Sequence, residues 1–399
     1  MPTALAQFGA LPDVEWVGPI PKPVASAAVP NLVHPGGITG DVAADRYQQY
    51  LDPAPEGIDA RWAWYGTNGT GAGVRICDLE KNLNRDHSDL GTVKVLNPGP
   101  NPANDDNHGT AVLGILAGEN NGFGVTGIAH DASLYFAATT STEGFSLEGA
   151  ITRCAANLQA GDIIVIEAQT VGPNTKPAED RAWSSEGLVP VEWYKPAYDA
   201  IKSATAAGRI VVEAGANGAE DLDSADYQTG NGGHYPFKPE NDSGAILVGA
   251  GNSPYSGGTN RAPSWFTNTG ATMDVQGWGD GIVTTGYGDL HPGDADPDDK
   301  NLWYKESFGG TSGATPIVAA RPRCSSRSSG PSTGVRPPRP NCARSCATRA
   351  RRRPVAATSG RCPISRRPSS SSTMTPARCR PWRRPRCRRP AAHTTCPSR

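Results

Sequence analysis

The sequence predicts an α/β domain built on a mostly parallel sheet with helices on both faces. Short apolar, β-branched runs alternate with longer stretches of helical periodicity between residues 57 and 320, the pattern of strands joined by crossover helices. The residue types that can do chemistry fall at the ends of those elements, where sites in such folds lie.

In chain order, strands are predicted over 74–77, 133–137, 163–167, 210–214 and 246–250. Helices are predicted over 108–117, 147–159, 194–207 and after Ser312. The stretch 308–320, FGGTSGATPIVAA, is the most informative. Gly309, Gly310 and Thr311 let the backbone turn sharply and deliver Ser312, and a helix starting just after it would aim its N–H groups at an oxyanion. Pro316 suits a first helical turn, where proline loses no hydrogen bond. Taken alone, this stretch fits a Gly-rich turn before a buried helix equally well. Two further stretches decide between the readings. In 73–78, Val74 and Ile76 alternate with Arg75, and Asp78 ends the strand. In 107–118, His108 opens an apolar helical run with small residues at Gly109, Ala111 and Gly114. Serine hydrolysis needs a base for the hydroxyl proton and a carboxylate to orient that base, and these stretches supply all three groups.

From about residue 57 to 320 the chain resembles a subtilisin-like serine peptidase, a subtilase. The resemblance rests on the strand ending in Asp78, on His108-Gly-Thr, on 310–316 (GTSGATP), and on 211–218 (VVEAGANG), in that family's Asp, His, Ser order. It implies a three-layer fold and an endopeptidase. Asp78 would orient, His108 act as base then acid, Ser312 attack, and Asn217 and the Ser312 N–H donate to the oxyanion. It also places Glu167, Ala168 and Gln169, at the end of the 163–167 strand, as candidates for contacting substrate; an ordinary strand end is the competing reading. Leu79 and Glu80 follow Asp78 where the family has a small hydroxyl residue and Gly. Glu80 either adds negative charge near the histidine or points into solvent, and solvent is the expected direction. Gly215-Ala216 inverts the usual Ala-Gly before the asparagine, which bears on the placement of Asn217.

The resemblance implies polypeptide substrates, no required cofactor, a monomer and an extracellular location. The alternating Asp294, Asp296 and Asp298 could bind Ca²⁺, but a solvated loop is the expected reading. His87 and His130 are expected to be structural; His234 and His291 lie in loops with no partner evident. A non-enzymatic remnant or a peptide-binding module on the same fold is the alternative function.

The near-neutral formal charge of −1 conceals two unlike parts. Residues 321–399 hold 21 arginines and no Lys, Asp or Glu, leaving 17 basic against 39 acidic side chains in the first 320. An acidic body argues against nucleic-acid binding. No apolar run is long enough to span a membrane, and residues 1–20 show no signal peptide. Residues 1–56 form a leader, with a strand-like stretch over 10–17 that resembles the end of a propeptide, then a Pro-rich linker. Only Cys77 and Cys154 lie in the body, too few to define a disulfide framework. The 321–399 tail lacks Leu, Phe and Tyr and cannot build a core. It is either a basic nucleic-acid-binding arm or a GC-rich gene translated out of frame. Shifted codons from 320 on can restore an apolar helix, so the frameshift near Ala320 is the favoured reading. The shifted chain would keep every catalytic group but lose C-terminal helices, which leaves its activity open.

Overall fold

The computed structural model describes residues 24–25, 48–97, 105–141, 144–254, 258–292 and 299–320. The strand-like stretch over 10–17, the acidic loop at Asp294–Asp298 and the 321–399 tail lie outside the described residues.

Seven strands form the central sheet: β1 (Arg75–Glu80), β2 (Val93–Val95), β3 (Ser133–Ala138), β4 (Ile163–Ile166), β5 (Ile210–Ala214), β6 (Ile246–Gly251) and β7 (Val275–Trp278). Their order across the sheet is β7-β6-β5-β4-β1-β3-β2, and every neighbouring pair is parallel. Side-chain alternation sorts the layers. Ile76, Val165, Val212 and Val248 pack with α2 (Asn107–Ala117) and α5 (Thr311–Ala319) on one face. Cys77, Leu79, Ile164, Ile166 and Val211 pack with α3 (Leu147–Asn157) and α4 (Lys195–Ala206) on the other. A short helix, α1 (Ala60–Thr67), precedes the sheet. The predicted three-layer α/β architecture is therefore the observed one.

Two details differ from the sequence expectation. Strand β1 does not end at Asp78 but continues through Leu79 and Glu80, paired with Ala137 and Ala138 of β3. The apolar Leu79 has a core to enter on the α3/α4 face, so nothing stops the strand two residues earlier. Helix α5 starts at Thr311, before Ser312, so Pro316 lies inside the helix rather than in its first turn. Cys77 and Cys154 form a disulfide between β1 and α3, closing a loop of 77 residues. On the chain-entropy account, such a closure stabilises by roughly 4 kcal/mol.

Candidate active site

The site is built at the carboxyl end of the sheet, on the α2/α5 face. The period-two alternation that directs Ile76 into this layer also directs Asp78 and Glu80 there. The register pairs Asp78 with Val165 and Leu79 with Ile166, so Glu80 comes opposite Glu167. The Glu167 amide donates to the Leu79 carbonyl at 3.3 Å, carrying the ladder one residue past β4. Three carboxyl groups thus share one layer, and Asp78, Glu80 and Glu167 are all buried.

Helix α2 carries His108 to this layer. A Cβ at Gly109 would lie 2.3 Å from the Asn82 carbonyl oxygen, so glycine is what lets the helix start approach the end of β1. Farther along, the Thr284 and Thr285 hydroxyls donate to the carbonyls of Ala111 and Thr110, both at 2.6 Å. They dock α2 on the strand Ile282–Thr285 at a point where any side chain on Gly114 would collide with them. The outcome is a contact of 2.5 Å between His108 Nδ1 and Glu80 Oε1, with the His108 ring edge-on to Phe308 at 5.4 Å. A carboxylate can only accept here, which fixes the Nδ1–H tautomer.

The expected direction of Glu80 is overturned. Glu80, only 2% exposed, meets the imidazole and does not point into solvent. Asp78 lies two residues back along the strand, and neither of its oxygens makes a well-formed hydrogen bond. Burial, then the charge of Glu80, push the Asp78 carboxyl well above the usual carboxylate range, opposed by the Leu79 amide. The period-two pattern carries the missed signal: Ile76, Asp78 and Glu80 share a face, and the acid nearest the strand's end is Glu80.

Ser312 is mounted by α5. Gly310, with φ 77°, turns the chain into the helix, and a Cβ on Gly309 would lie 2.4 Å from the Gly279 carbonyl oxygen. Ser312 then falls in the first helical turn, where backbone N–H groups lack intrahelical acceptors and the helix dipole favours negative charge. Asn217 is held against this turn. Its Oδ1 accepts from the Thr311 amide at 2.9 Å and the Thr311 hydroxyl at 3.0 Å. A backbone N–H can only donate, so the Asn217 amide is oriented with its oxygen toward Thr311. The backbone N–H of Asn217 donates to Gln169 Oε1 at 3.0 Å, and the Trp183 indole donates to its carbonyl at 3.1 Å. The inverted Gly215-Ala216 order has a packing cause. A Cβ at 215 would lie 2.8 Å from the Val248 carbonyl oxygen, while Ala216 adopts the left-handed region at φ 66°.

Of the three residues predicted to contact substrate, Gln169 is buried and braces Asn217, its Nε2 donating to Ser185 Oγ at 3.1 Å. Ala168 begins the strand Ala168–Val171, which pairs antiparallel with Leu188–Pro190 on one edge and with Val24–Ala25 on the other. Glu167 lies in the buried carboxyl layer with Asp78 and Glu80. The Ser312 hydroxyl is near enough to favour its ionised form, although neither Glu167 oxygen makes a hydrogen bond of good geometry. Burial, and then Glu80 and Asp78, raise the Glu167 pKa well above the ordinary range. Among the described residues, no group of three or more His, Cys, Asp or Glu is arranged to hold a metal ion. Among the described residues the other histidines, His87, His130, His234 and His291, each bond a backbone carbonyl, those of Trp303, Gly127, Glu192 and Leu302.

Residues 69–321 match the family described as the Subtilase family, and the chain belongs to that family. It is 31% identical over 255 residues to Alkaline elastase YaB of Bacillus sp. (strain YaB), covering 63% of this chain and 53% of that protein. To Subtilisin BL of Lederbergia lenta it is 28% identical over 257 residues, covering 63% and 75%. To Subtilisin E of Bacillus subtilis (strain 168) it is 27% identical over 277 residues, covering 68% and 60%. A solved protease of Pseudoalteromonas arctica aligns with TM-score 0.45 and 21% identity, over 69% of this chain and 83% of that one. The chain thus spans little more than half the length of the elastase it matches. No helix among the described residues is long and apolar enough to cross a membrane.

Proposed function

We propose that the chain is a serine endopeptidase that cleaves peptide bonds through an acyl-enzyme. Ser312 is the nucleophile, His108 exchanges its proton, Glu80 orients His108 in the role first given to Asp78, and the Asn217 side chain with the Ser312 N–H stabilises the oxyanion. The observation that carries this reading is the contact of 2.5 Å between Glu80 and His108. A polypeptide substrate is favoured by the edge of Ala168–Gln169, which already accepts an extended segment of the same chain, Val24–Ala25, as an antiparallel strand. A peptide adding to that edge would run beside Glu167 and Asn217. A buried Cys77–Cys154 disulfide favours folding in an oxidising compartment, in keeping with an extracellular enzyme. That the 321–399 tail is out of frame stays a proposal from composition, decided by the nucleotide sequence of codons 318–324.

A fluorophosphonate probe tests the function. The chain should be labelled at Ser312, with Ser312→Ala abolishing labelling. Ser312→Ala or His108→Ala should lower peptide turnover by about 10⁶, the scale of the equivalent losses in subtilisin. Turnover unchanged by Ser312→Ala would end the assignment.

A further inference from the structure

The segment around Asn217 is held in place from outside. The carbonyls of Gly215, Ala216, Asn217 and Gly218 all accept from other segments: Asn268 Nδ2, the Asn268 amide, the Trp183 indole and the Gly187 amide. Asn217 alone has both main-chain groups held by side chains, its N–H by Gln169 Oε1 at 3.0 Å and its carbonyl by Trp183 at 3.1 Å. Ala216, just before it, is left-handed at φ 66°, a conformation that persists only under such support. The two holds differ in what else they touch. Trp183 lies in the loop between the strands Ala168–Val171 and Leu188–Pro190, edge-on to Trp265 with ring centroids 5.0 Å apart. Gln169 lies in the first of those strands, paired with Val24 on one side and Pro190 on the other. Pro190 has no N–H, so it cannot exchange with Gln169 the two hydrogen bonds that close an antiparallel ladder. That exchange is left to whatever lies on the outer edge.

We propose that Gln169 transmits occupancy of this edge to the oxyanion donor. A peptide pairing along Ala168–Gln169 fixes the Gln169 main chain, the Gln169 carboxamide fixes the Asn217 N–H, and the Asn217 side chain is thereby aimed. Gln169 is a positioning residue that acts through Asn217. Substrate residues remote from the cleaved bond raise kcat through it, and do not merely improve binding. The ligand that works the device is an extended peptide long enough to replace Val24–Ala25 on the strand. The proposal rests on the serine-peptidase reading.

Two peptide anilides test this on the full chain, one with a single residue and one long enough to span the strand. Fluorophosphonate titration of Ser312 counts the folded sites. In the unmodified chain, lengthening the substrate should lower KM and also raise kcat by about 10–10², the scale on which a misplaced group is felt. Gln169→Met keeps the side-chain length and loses both hydrogen bonds; it should keep the fall in KM and lose the gain in kcat. Trp183→Phe keeps a ring against Trp265 and loses the donor; it should lower kcat alike for both substrates, because Trp183 is not on the edge. In an Asn217→Ala background, Gln169→Met should cost nothing further. The proposal is overturned if Gln169→Met retains the gain in kcat, changes KM alone, or repeats its loss in the Asn217→Ala chain. Asn217→Ala by itself should also lose the gain, and a gain that survives there overturns the proposal even where Gln169→Met fails to fold. If the unmodified chain labels and hydrolyses but substrate length moves KM alone, this inference falls and the serine-peptidase reading stands. A chain that neither labels nor hydrolyses defeats that reading itself.

Discussion

The two faces of the central sheet bury almost the same set of chemical groups. On the α2/α5 face are Asp78, Glu80, Glu167, His108 and Ser312. Toward α3 and α4 are Glu192 and Glu213, with Ser243 and His234 close by. The difference lies in how each group is engaged. His108 meets a carboxylate through its ring, whereas the His234 ring donates to the Glu192 backbone carbonyl at 2.8 Å. Ser312 sits in the first turn of a glycine-led helix beside Asn217. Ser243 donates its hydroxyl to Glu192 and accepts from the Ala245 amide at 3.1 Å. A serine, a histidine and buried acids therefore do not make a site by themselves; the orientation of each group does. Both faces nonetheless carry acids whose pKa burial raises, which makes them separable by experiment.

The largest effect that sharpens this contrast concerns the oxyanion. Asn217→Ala should lower kcat by about 10²–10³ with little change in KM, as loss of one oxyanion donor does in subtilisin. Steady-state kinetics on a peptide substrate reads it, and a change in KM alone would make Asn217 a binding residue. Next comes the silent face. Burial raises Glu192 from 4.5 to about 7, helped by Asp242 and Asp274, and burial, then the charge of Glu192, push Glu213 well above its ordinary value. The folded state therefore holds these protons more tightly than the unfolded chain. The Glu192 contribution is complete below pH 4.5 and is lost as pH rises through about 7, and that of Glu213 is likewise lost as pH rises. Replacing both with Gln should flatten the pH dependence of thermal unfolding across that window. Their removal should leave kcat unchanged, and a matching loss of activity would erase the distinction between the faces. The smallest effect is backbone strain at the site. Ala216→Gly relieves a left-handed alanine and should stabilise by up to about 1 kcal/mol, seen as a raised Tm.

Much of this was legible in the sequence, and the failures have a common physical origin. The parallel sheet, both site-bearing helices and the serine on its glycine turn follow from local periodicity and turn chemistry. Which acid serves His108 does not. Asp78 and Glu80 share a face, so choosing between them requires knowing that β1 runs on to Glu80. It also requires knowing that Gly109 lets α2 close onto the end of that strand. Gln169 reads as a strand-end residue open to substrate, and its hydrogen bond to Asn217, 48 residues away in the chain, has no local signal. Pro316 lies inside the helix and not in its first turn because the helix start, set by Gly310 and the Asn217 contact, lies one residue before the serine. In each case the local element was readable and the tertiary partner was not.

The central proposal is that Glu80, not Asp78, orients His108, and the rate of fluorophosphonate labelling at Ser312 tests it most directly. Glu80→Gln should slow labelling by about 10⁴, the loss seen when a triad acid becomes an amide, while Asp78→Asn should stay within about tenfold of the unmodified chain. The reverse ranking, with Asp78→Asn the crippled variant and Glu80→Gln nearly unaffected, would contradict the account.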